Sequence, residues 1–214
     1  MRIPLLLALL AGTPLVAQET ALTVPVQWKV RADRGTVTVV PDADLANPRT
    51  DVRLVTMPPG WHITTGPAVI AYDPAWVASG SYRVEMESFL FPGERQEGFG
   101  LFVGGRDLEG DDQTYLYVLL RKEGQLLVKR RQGAETPTII PWMAHPAVVP
   151  QTEGTAKNVL AVDVAADSVR VFVNDRQVTA LARASLPTNG QVGLRVNHAL
   201  NLHVTRVEIT KKQE

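Results

Sequence analysis

The sequence predicts an all-β fold of the sandwich type with little helix. Short segments that are apolar, or that alternate between apolar and polar residues, recur after residue 18, and Gly, Pro, Asn and Asp separate them. No long segment keeps the 3.6-residue apolar period of an amphipathic helix. We therefore expect about 12–14 strands in one sandwich or jelly roll.

The strand pattern can be followed along the chain. It covers residues 26–30, 36–40, 52–56, 68–72, 82–91, 99–103, 114–121, 125–131, 138–142, 159–164, 168–173, 192–197 and 202–210. Turn chemistry predicts two hairpins. Gly124 can supply a positive φ between residues 114–121 and 126–131, and Ala165-Ala166-Asp167 joins residues 159–164 to 169–173. Both strand pairs should be antiparallel neighbours.

The first residues have the layout of a secretory signal peptide. Arg2 precedes an apolar run over residues 3–11, and Gly12, Pro14 and Ala17 follow it. The run is shorter than the roughly 20 apolar residues of a membrane-spanning helix. We expect a signal peptide over residues 1–17, a single β-sandwich domain over residues 18–214, and export to the periplasm or the cell exterior with no transmembrane segment after cleavage.

Composition disfavours several classes of function. The 214 residues carry 22 Lys and Arg against 22 Asp and Glu, so no charge excess favours nucleic acid as a partner. There is no cysteine, which excludes a Cys nucleophile, a thiolate zinc site and a lipid-modified cysteine. The domain must therefore be stabilised by core burial without disulfides.

Several stretches, taken in order, carry a family resemblance. They are residues 80–85 (GSYRVE), 98–105 (GFGLFVGG), 115–121 (YLYVLLR), 158–162 (NVLAV), 169–175 (VRVFVND) and 190–196 (GQVGLRV). Over about residues 60–210 the chain resembles concanavalin A-like and laminin-G-like jelly rolls, including the bacterial 3-keto-disaccharide hydrolase-like family. The resemblance implies a jelly roll in which Asn174-Asp175 forms a tight turn. No catalytic residue set of the hydrolases can be placed on this sequence.

Basic and aromatic side chains form the main candidate site. If Arg121 pairs opposite Leu126, then Tyr115, Tyr117, Leu119 and Arg121 share a sheet face with Val128 and Arg130. Arg195 and Asn197 share a face of the penultimate strand. Tyr rings can stack on sugars while Arg donates paired hydrogen bonds. The candidates for ligand binding are Tyr115, Tyr117, Arg121, Arg130, Arg195 and Asn197; the alternative is that the tyrosines are packing residues with Arg at the rim.

Two acidic groups are alternative candidate sites. Glu85 and Glu87 point to one face of a strand, as paired glycosidase carboxylates could, but the next residues on that face are Phe89 and Phe91, and the pattern favours an exposed strand edge. The loop containing Asp107, Glu109, Asp111 and Asp112 could bind Ca²⁺, but it lacks the ligand order of an EF-hand and favours a solvated turn. Apart from this Ca²⁺ alternative, we expect no metal or cofactor.

The remaining motifs favour structural roles. Gly98-Phe99-Gly100 and Gly104-Gly105 alternate as in a strand and do not open a helix, which disfavours nucleotide binding. His62, His145, His198 and His203 lack metal-ligand spacing and favour local hydrogen bonding.

Three functions follow as hypotheses. The first is an exported, non-catalytic or accessory module that binds carbohydrate or another envelope ligand across one sheet face. The alternative is a glycoside-processing enzyme resembling the 3-keto-disaccharide hydrolases. The third is a structural or protein-interaction sandwich.

Overall fold

The computed structural model describes residues 22–212 and confirms an all-β sandwich. The predicted signal peptide lies outside the described residues. The strands are β1 (Lys29–Ala32), β2 (Thr38–Val40), β3 (Asp51–Thr56), β4 (Trp61–Thr65), β5 (Val69–Tyr72), β6 (Val77–Ala78), β7 (Tyr82–Leu90), β8 (Gly98–Arg106), β9 (Thr114–Arg121), β10 (Gln125–Gln132), β11 (Thr138–Ala144), β12 (Ala156–Val164), β13 (Ser168–Val173), β14 (Arg176–Ala182), β15 (Gly190–Val196) and β16 (Asn201–Lys211). Within residues 22–212 no helix is long and apolar enough to span a bilayer.

The strands form two sheets. The first, called the front sheet, has the order β1-β5-β15-β8-β9-β10-β11, with β6 also pairing β15. The second, the back sheet, has the order β14-β13-β12-β7-β16-β4-β3-β2. Neighbours are antiparallel except β2 and β3, which are parallel. Many neighbours are distant in sequence, so the sandwich depends on long-range pairing.

The main core lies between the sheets because the inward-facing residues of the long strands are apolar. In β7, Tyr82, Val84 and Met86 point inward and are fully buried, whereas Glu85 and Glu87 between them point outward. In β9, Leu116, Val118 and Leu120 belong to the same core. The inward and outward residues of every long strand therefore divide between the core and the outer faces.

Three strands are absent from the sequence pattern: β4, β6 and β14. β6 has two residues, which is too short for any periodicity to show. β14 is an edge strand whose first residues, Arg176 and Gln177, are exposed, so it has no apolar run. The sequence WHITT of β4 mixes polar and apolar residues and follows Pro-Pro-Gly, which reads as a loop. With these three, the described residues contain 16 strands, more than the 12–14 expected.

The predicted turns are confirmed. Gly124 has a φ of 72° in the turn between β9 and β10, and Asn174 and Asp175 have φ values of 49° and 63° between β13 and β14. Two successive residues with positive φ are the requirement of a type I′ hairpin turn, which Asn and Asp tolerate. The hairpin between β12 and β13 also forms, with Ala165 donating to the carbonyl of Ser168.

Candidate functional site

A second apolar cluster lies on the outer face of the front sheet. Its aromatic rings run across β5, β8 and β9: Tyr72 lies 6.1 Å from Phe102, Phe102 lies 5.2 Å from Tyr115, and Tyr115 lies 5.6 Å from Tyr117. Gly193 lies between these strands, and a Cβ there would approach Phe102 and Tyr72 to 2.6 Å. The absence of a side chain at Gly193 therefore allows the rings to meet.

The loop between β8 and β9 covers one part of this cluster. Leu108 is buried among the aromatic rings, and Nη1 of Arg31 donates hydrogen bonds of 2.7 Å to the carbonyls of Leu108 and Gly110. Lys29 pairs with Glu109 at 2.6 Å. Tyr115 is consequently buried as a packing residue, and only the part of the outer face beyond it remains open.

A cavity of about 230 Å³, here called the outer groove, occupies that open part. Tyr117, Leu119, Leu127 and Trp142 give it an apolar side formed by β9, β10 and β11. The polar side is formed by Asp33, Arg195 and Asn197, and Lys129 and Thr136 complete the lining. Apolar surface with a few convergent polar groups is typical of small-molecule sites.

Trp142 is held against the sheet by two neighbours. A Cβ at Gly98 would lie 2.8 Å from the Trp142 ring, so glycine at this position allows the indole to approach the strand. The guanidinium carbon of Arg121 lies 4.4 Å from the centroid of the indole ring, a cation–π contact. Trp142 therefore has a fixed place beside the groove although it belongs to an edge strand.

A charged pair forms the polar side of the groove. Nη1 and Nη2 of Arg195 donate hydrogen bonds of 2.6 Å and 2.5 Å to the two carboxylate oxygens of Asp33, and Arg131 lies 3.9 Å from the same carboxylate. Arg195 is 6% exposed and lies 5.8 Å from the ring of Tyr117. The bidentate geometry fixes the position of the Arg195 side chain.

These contacts shift the titration of the site. Burial raises the pKa of Asp33, but the hydrogen bonds and charge of Arg195, together with Arg131 and His198, outweigh burial and hold the pKa below its ordinary value. Burial lowers the pKa of Arg195, but the bonds to Asp33 hold it above its usual range. Burial also raises the pKa of Tyr117 to about 12. Asp33 and Arg195 are therefore ionised, and Tyr117 is neutral, at neutral pH.

Two buried polar atoms of the groove residues lack partners among the described residues. Asn197 donates its amide N–H to Glu97 at 3.2 Å, so its Oδ1 points away from that bond and accepts none. Arg195 uses both terminal nitrogens on Asp33, and its Nε donates to no described group. A donor and an acceptor, both buried, thus lie without partners two residues apart on one sheet face.

Three of the six candidate ligand-binding residues line the groove: Tyr117, Arg195 and Asn197. Tyr115 lies beside them, buried under the β8–β9 loop. Arg121 lies outside the lining and contacts Trp142, Glu123 at 3.4 Å and the side chain of Gln125. Its position is that of a residue supporting Trp142.

The predicted register between β9 and β10 is wrong by one residue. Arg121 pairs with Gln125, so Leu127, Lys129 and Arg131 share the outer face with the tyrosines, and Val128 faces the core. Arg130 is on the opposite side, where it donates to the carbonyl of Ser185 at 3.2 Å and to Gln132 at 2.7 Å. A one-residue shift in register moves every side chain of β10 to the other face of the sheet. The register in turn depends on how many residues form the turn.

Two carboxylates of the acidic β8–β9 loop, Asp107 and Glu109, have protein partners. Asp107 accepts the N–H of Asp112 at 3.1 Å and thereby closes the loop. Asp111 belongs to the same turn, and Glu109 pairs with Lys29. In residues 22–212 no three His, Asp or Glu side chains are arranged to hold a metal ion.

Glu85 and Glu87 lie on a central strand between β12 and β16, so the strand-edge interpretation is wrong. Arg206 and Arg83 pair with Glu85 at 2.6 Å and 2.9 Å. Lys157 pairs with Glu87 at 2.8 Å. Both carboxylates are thus neutralised on the outer face of the back sheet.

Three of the histidines, His62, His145 and His203, form local contacts, whereas His198 faces a cavity. His145 accepts the N–H of Ala147, and His203 contacts the carbonyl of Pro59 at 2.9 Å. His62 lies opposite His203, with ring centroids 6.1 Å apart. His198 lines a cavity next to the outer groove.

Sequence reasoning missed Trp142, Asp33 and Lys129. Trp142 ends a predicted strand, and a tryptophan on a strand was the signal available for it. Lys129 would have been found with the correct register. Asp33 follows β1 in a polar turn, 162 residues from Arg195, and no local pattern indicates their contact.

No protein-family model matches the sequence, and no curated protein sequence is significantly similar to it. Solved structures do share the fold. The carbohydrate-binding module CBM66 from Bacillus subtilis aligns with a TM-score of 0.61 at 11% identity, over 86% of this chain and 96% of that chain. A Bacillus subtilis protein of unknown function with a galectin-like fold gives 0.58 at 10% identity, over 87% and 90%.

The carbohydrate recognition domain of Emp46p, in its potassium-bound form, gives a TM-score of 0.50 at 10% identity, over 88% of this chain and 90% of that chain. These superpositions show that the chain shares the jelly-roll sandwich fold with these proteins. At 10–11% sequence identity they show nothing finer than the fold.

Proposed function

We propose that this protein is an exported, non-catalytic module that binds carbohydrate in the outer groove. The observation that carries the proposal is a groove with an aromatic side and a polar side. Trp142 and Tyr117 border one side of it, and Asp33, Arg195 and Asn197 form the polar side, with Lys129 and Thr136 completing the lining. A sugar hydroxyl both donates and accepts, and the apolar face of a sugar ring can lie on an aromatic side chain.

The solved structures of similar fold support a sugar ligand. Two of them are described as a carbohydrate-binding module and a carbohydrate recognition domain. Function depends on the site and not on the fold, so the groove residues provide the stronger support.

The charge arrangement favours binding over glycoside hydrolysis. Glycosidases generally use two carboxylates on either side of the scissile bond. The lining of the outer groove contains one carboxylate, Asp33, and both of its oxygens accept hydrogen bonds from Arg195. An acid held in its ionised form by a bidentate arginine is poorly suited to donating a proton.

Replacing Trp142 should weaken sugar binding. We expect Trp142→Ala to reduce the affinity for the best ligand of a glycan array by about 1–3 kcal/mol, the range for truncating an aromatic anchor. Calorimetric titration of the folded variant measures it. Trp142→Phe, which keeps a ring, should retain much of the affinity.

Phe89→Ala provides the matched control. Phe89 lies on the outer face of the back sheet under Lys157, whose Nζ is 5.6 Å from its ring centroid, much as Trp142 lies under Arg121. This variant should bind as the parent protein does. Equal losses from the two substitutions, or an array without a bound glycan, would contradict the proposed site.

Export is the second part of the proposal, and the apolar run after Arg2 supports it. N-terminal sequencing of the protein secreted by a bacterial host should give a mature chain that begins near Gln18. Accumulation of the chain in the cytoplasm with Met1 intact would exclude export.

A further inference from the structure

We infer that the ligand is an anionic polysaccharide, whose carboxylate or sulfate groups are bound by Arg34 and Arg49 in a second cavity that adjoins the outer groove. This inference rests on the proposed function and specifies the class of sugar. The second cavity, called the arginine cavity, has a volume of about 570 Å³, and Arg34, Arg49 and His198 are among its lining residues.

The two cavities meet at Asp33. This residue lines both of them, so a chain that lies in the outer groove can continue past Asp33 into the arginine cavity. A third cavity of about 640 Å³, which includes Arg95 and Glu97, shares Pro48, Gly66 and His198 with the arginine cavity. The three cavities are therefore adjacent, and together they are called the path, whose extent suits an extended ligand better than a single sugar.

The path is basic although the chain as a whole is neutral. Its lining contains five Lys and Arg side chains, Arg34, Arg49, Arg95, Lys129 and Arg195, against the two carboxylates of Asp33 and Glu97. The whole chain has 22 of each sign. The concentration of positive charge along one path favours a ligand of negative charge.

Both carboxylates along the path accept hydrogen bonds, and the charge of Asp33 is paired with that of Arg195. Asp33 accepts both terminal nitrogens of Arg195, and Glu97 accepts the amide of Asn197. Arg34, Arg49 and Arg95 are exposed and form no side-chain ion pair or hydrogen bond with any residue in the described range 22–212. Their charges are therefore available to a ligand.

The test compares charged glycans with neutral forms of the same backbone. The probes are a galacturonic acid hexamer and its methyl ester, and dextran sulfate and dextran, titrated by calorimetry at low and high salt. We expect a charged probe to bind more tightly than its neutral form and to lose affinity in high salt, because exposed charges are screened. Preference for the hexamer or for dextran sulfate assigns the bound group as carboxylate or sulfate.

The double variant R34Q/R49Q should weaken binding of the charged probe about three- to tenfold, the size expected for two partly screened charge interactions. Binding of the neutral form should not change. The matched control is R176Q/K211Q, which also removes two positive charges. Arg176 lies on the far edge strand of the back sheet, and Lys211 ends β16, about 33 Å along that strand from Asn201.

Equal affinity for charged and neutral probes would overturn the inference, as would equal losses from the two double variants or binding of none of the four probes. Sensitivity to Trp142→Ala separates the two proposals. If neutral glycans bind through Trp142 and R34Q/R49Q has no effect, the groove binds sugar and the inference about charge is wrong. If no glycan depends on Trp142, the proposed function itself is wrong.

Discussion

Arg195→Met should lower the free energy of unfolding by about 3 kcal/mol at neutral pH. The substitution leaves the Asp33 carboxylate partly buried without its bidentate partner, and removing one member of a buried pair typically costs about 3–5 kcal/mol. We place the effect at the lower end because Arg131 remains 3.9 Å away and the Asp33 side chain is 30% exposed. Urea unfolding of the two proteins measures the difference.

The pH dependence of this stability loss shows whether it comes from the unpaired charge of Asp33. In the parent protein the folded pKa of Asp33 lies below its ordinary value of 3.8, so the pair contributes fully above that pH and loses its contribution as pH falls through the folded pKa. In Arg195→Met, burial should raise the pKa of Asp33 instead. Protonation of Asp33 then removes the cost of its unpaired, partly buried charge. The difference in unfolding free energy between Arg195→Met and the parent protein should therefore shrink as pH falls towards 4 and below.

The double variant Asp33→Ala/Arg195→Met provides the control. The double variant leaves neither charge without its partner. Its loss of unfolding free energy should therefore be smaller than the sum of the losses in the two single variants. Additive losses, or a difference that does not change with pH, would show that Arg195 stabilises the fold through packing alone.

Tyr117→Ala should lower stability by about 3–5 kcal/mol, the usual cost of truncating a buried aromatic side chain. Tyr117 is 5% exposed and packs against Tyr115 and the guanidinium of Arg195. Tyr117→Phe should be close to neutral, because it keeps the ring and removes only the hydroxyl. Thermal and urea unfolding of both variants provide the measurement.

Glycan affinity of the same variants separates packing from binding. Tyr117 both packs in the aromatic cluster and lines the groove, so Tyr117→Ala should reduce the affinity per folded molecule as well as the stability. If stability falls and affinity per folded molecule is unchanged, Tyr117 is a packing residue and the sugar-binding role falls to Trp142. If stability is unchanged, the packing described for Tyr117 is contradicted.

Local patterns were sufficient for most of the strands. The limits of β9 and β13 match the predicted segments 114–121 and 168–173, because β9 is a nearly continuous apolar run, β13 alternates clearly, and turn residues follow both. β14 was missed because an edge strand can expose most of its residues and so need not alternate. The alternation that indicates a strand is a signal of one-sided burial, and it weakens wherever burial is incomplete.

The candidate site was only partly accessible to the same reasoning. Tyr117, Arg195 and Asn197 were selected by residue type and alternation, and the structure places them around one groove. Arg130 was assigned to the wrong face because the turn after Arg121 was counted one residue too long. Trp142 could not be connected with them, since the pairing of β11 with β10 and the approach of its indole to Gly98 are tertiary features.

The all-β class, the positions of most strands and the type of their turns could be predicted because each depends on residues close together in the chain. The strand order, the register of β10 and the pairing of Asp33 with Arg195 across 162 residues are visible only in the folded structure. The packing of Leu108 from the β8–β9 loop in the outer cluster, and the open groove beside Tyr117, are also visible only there. These features depend on contacts between segments that are distant in sequence, which no local period encodes.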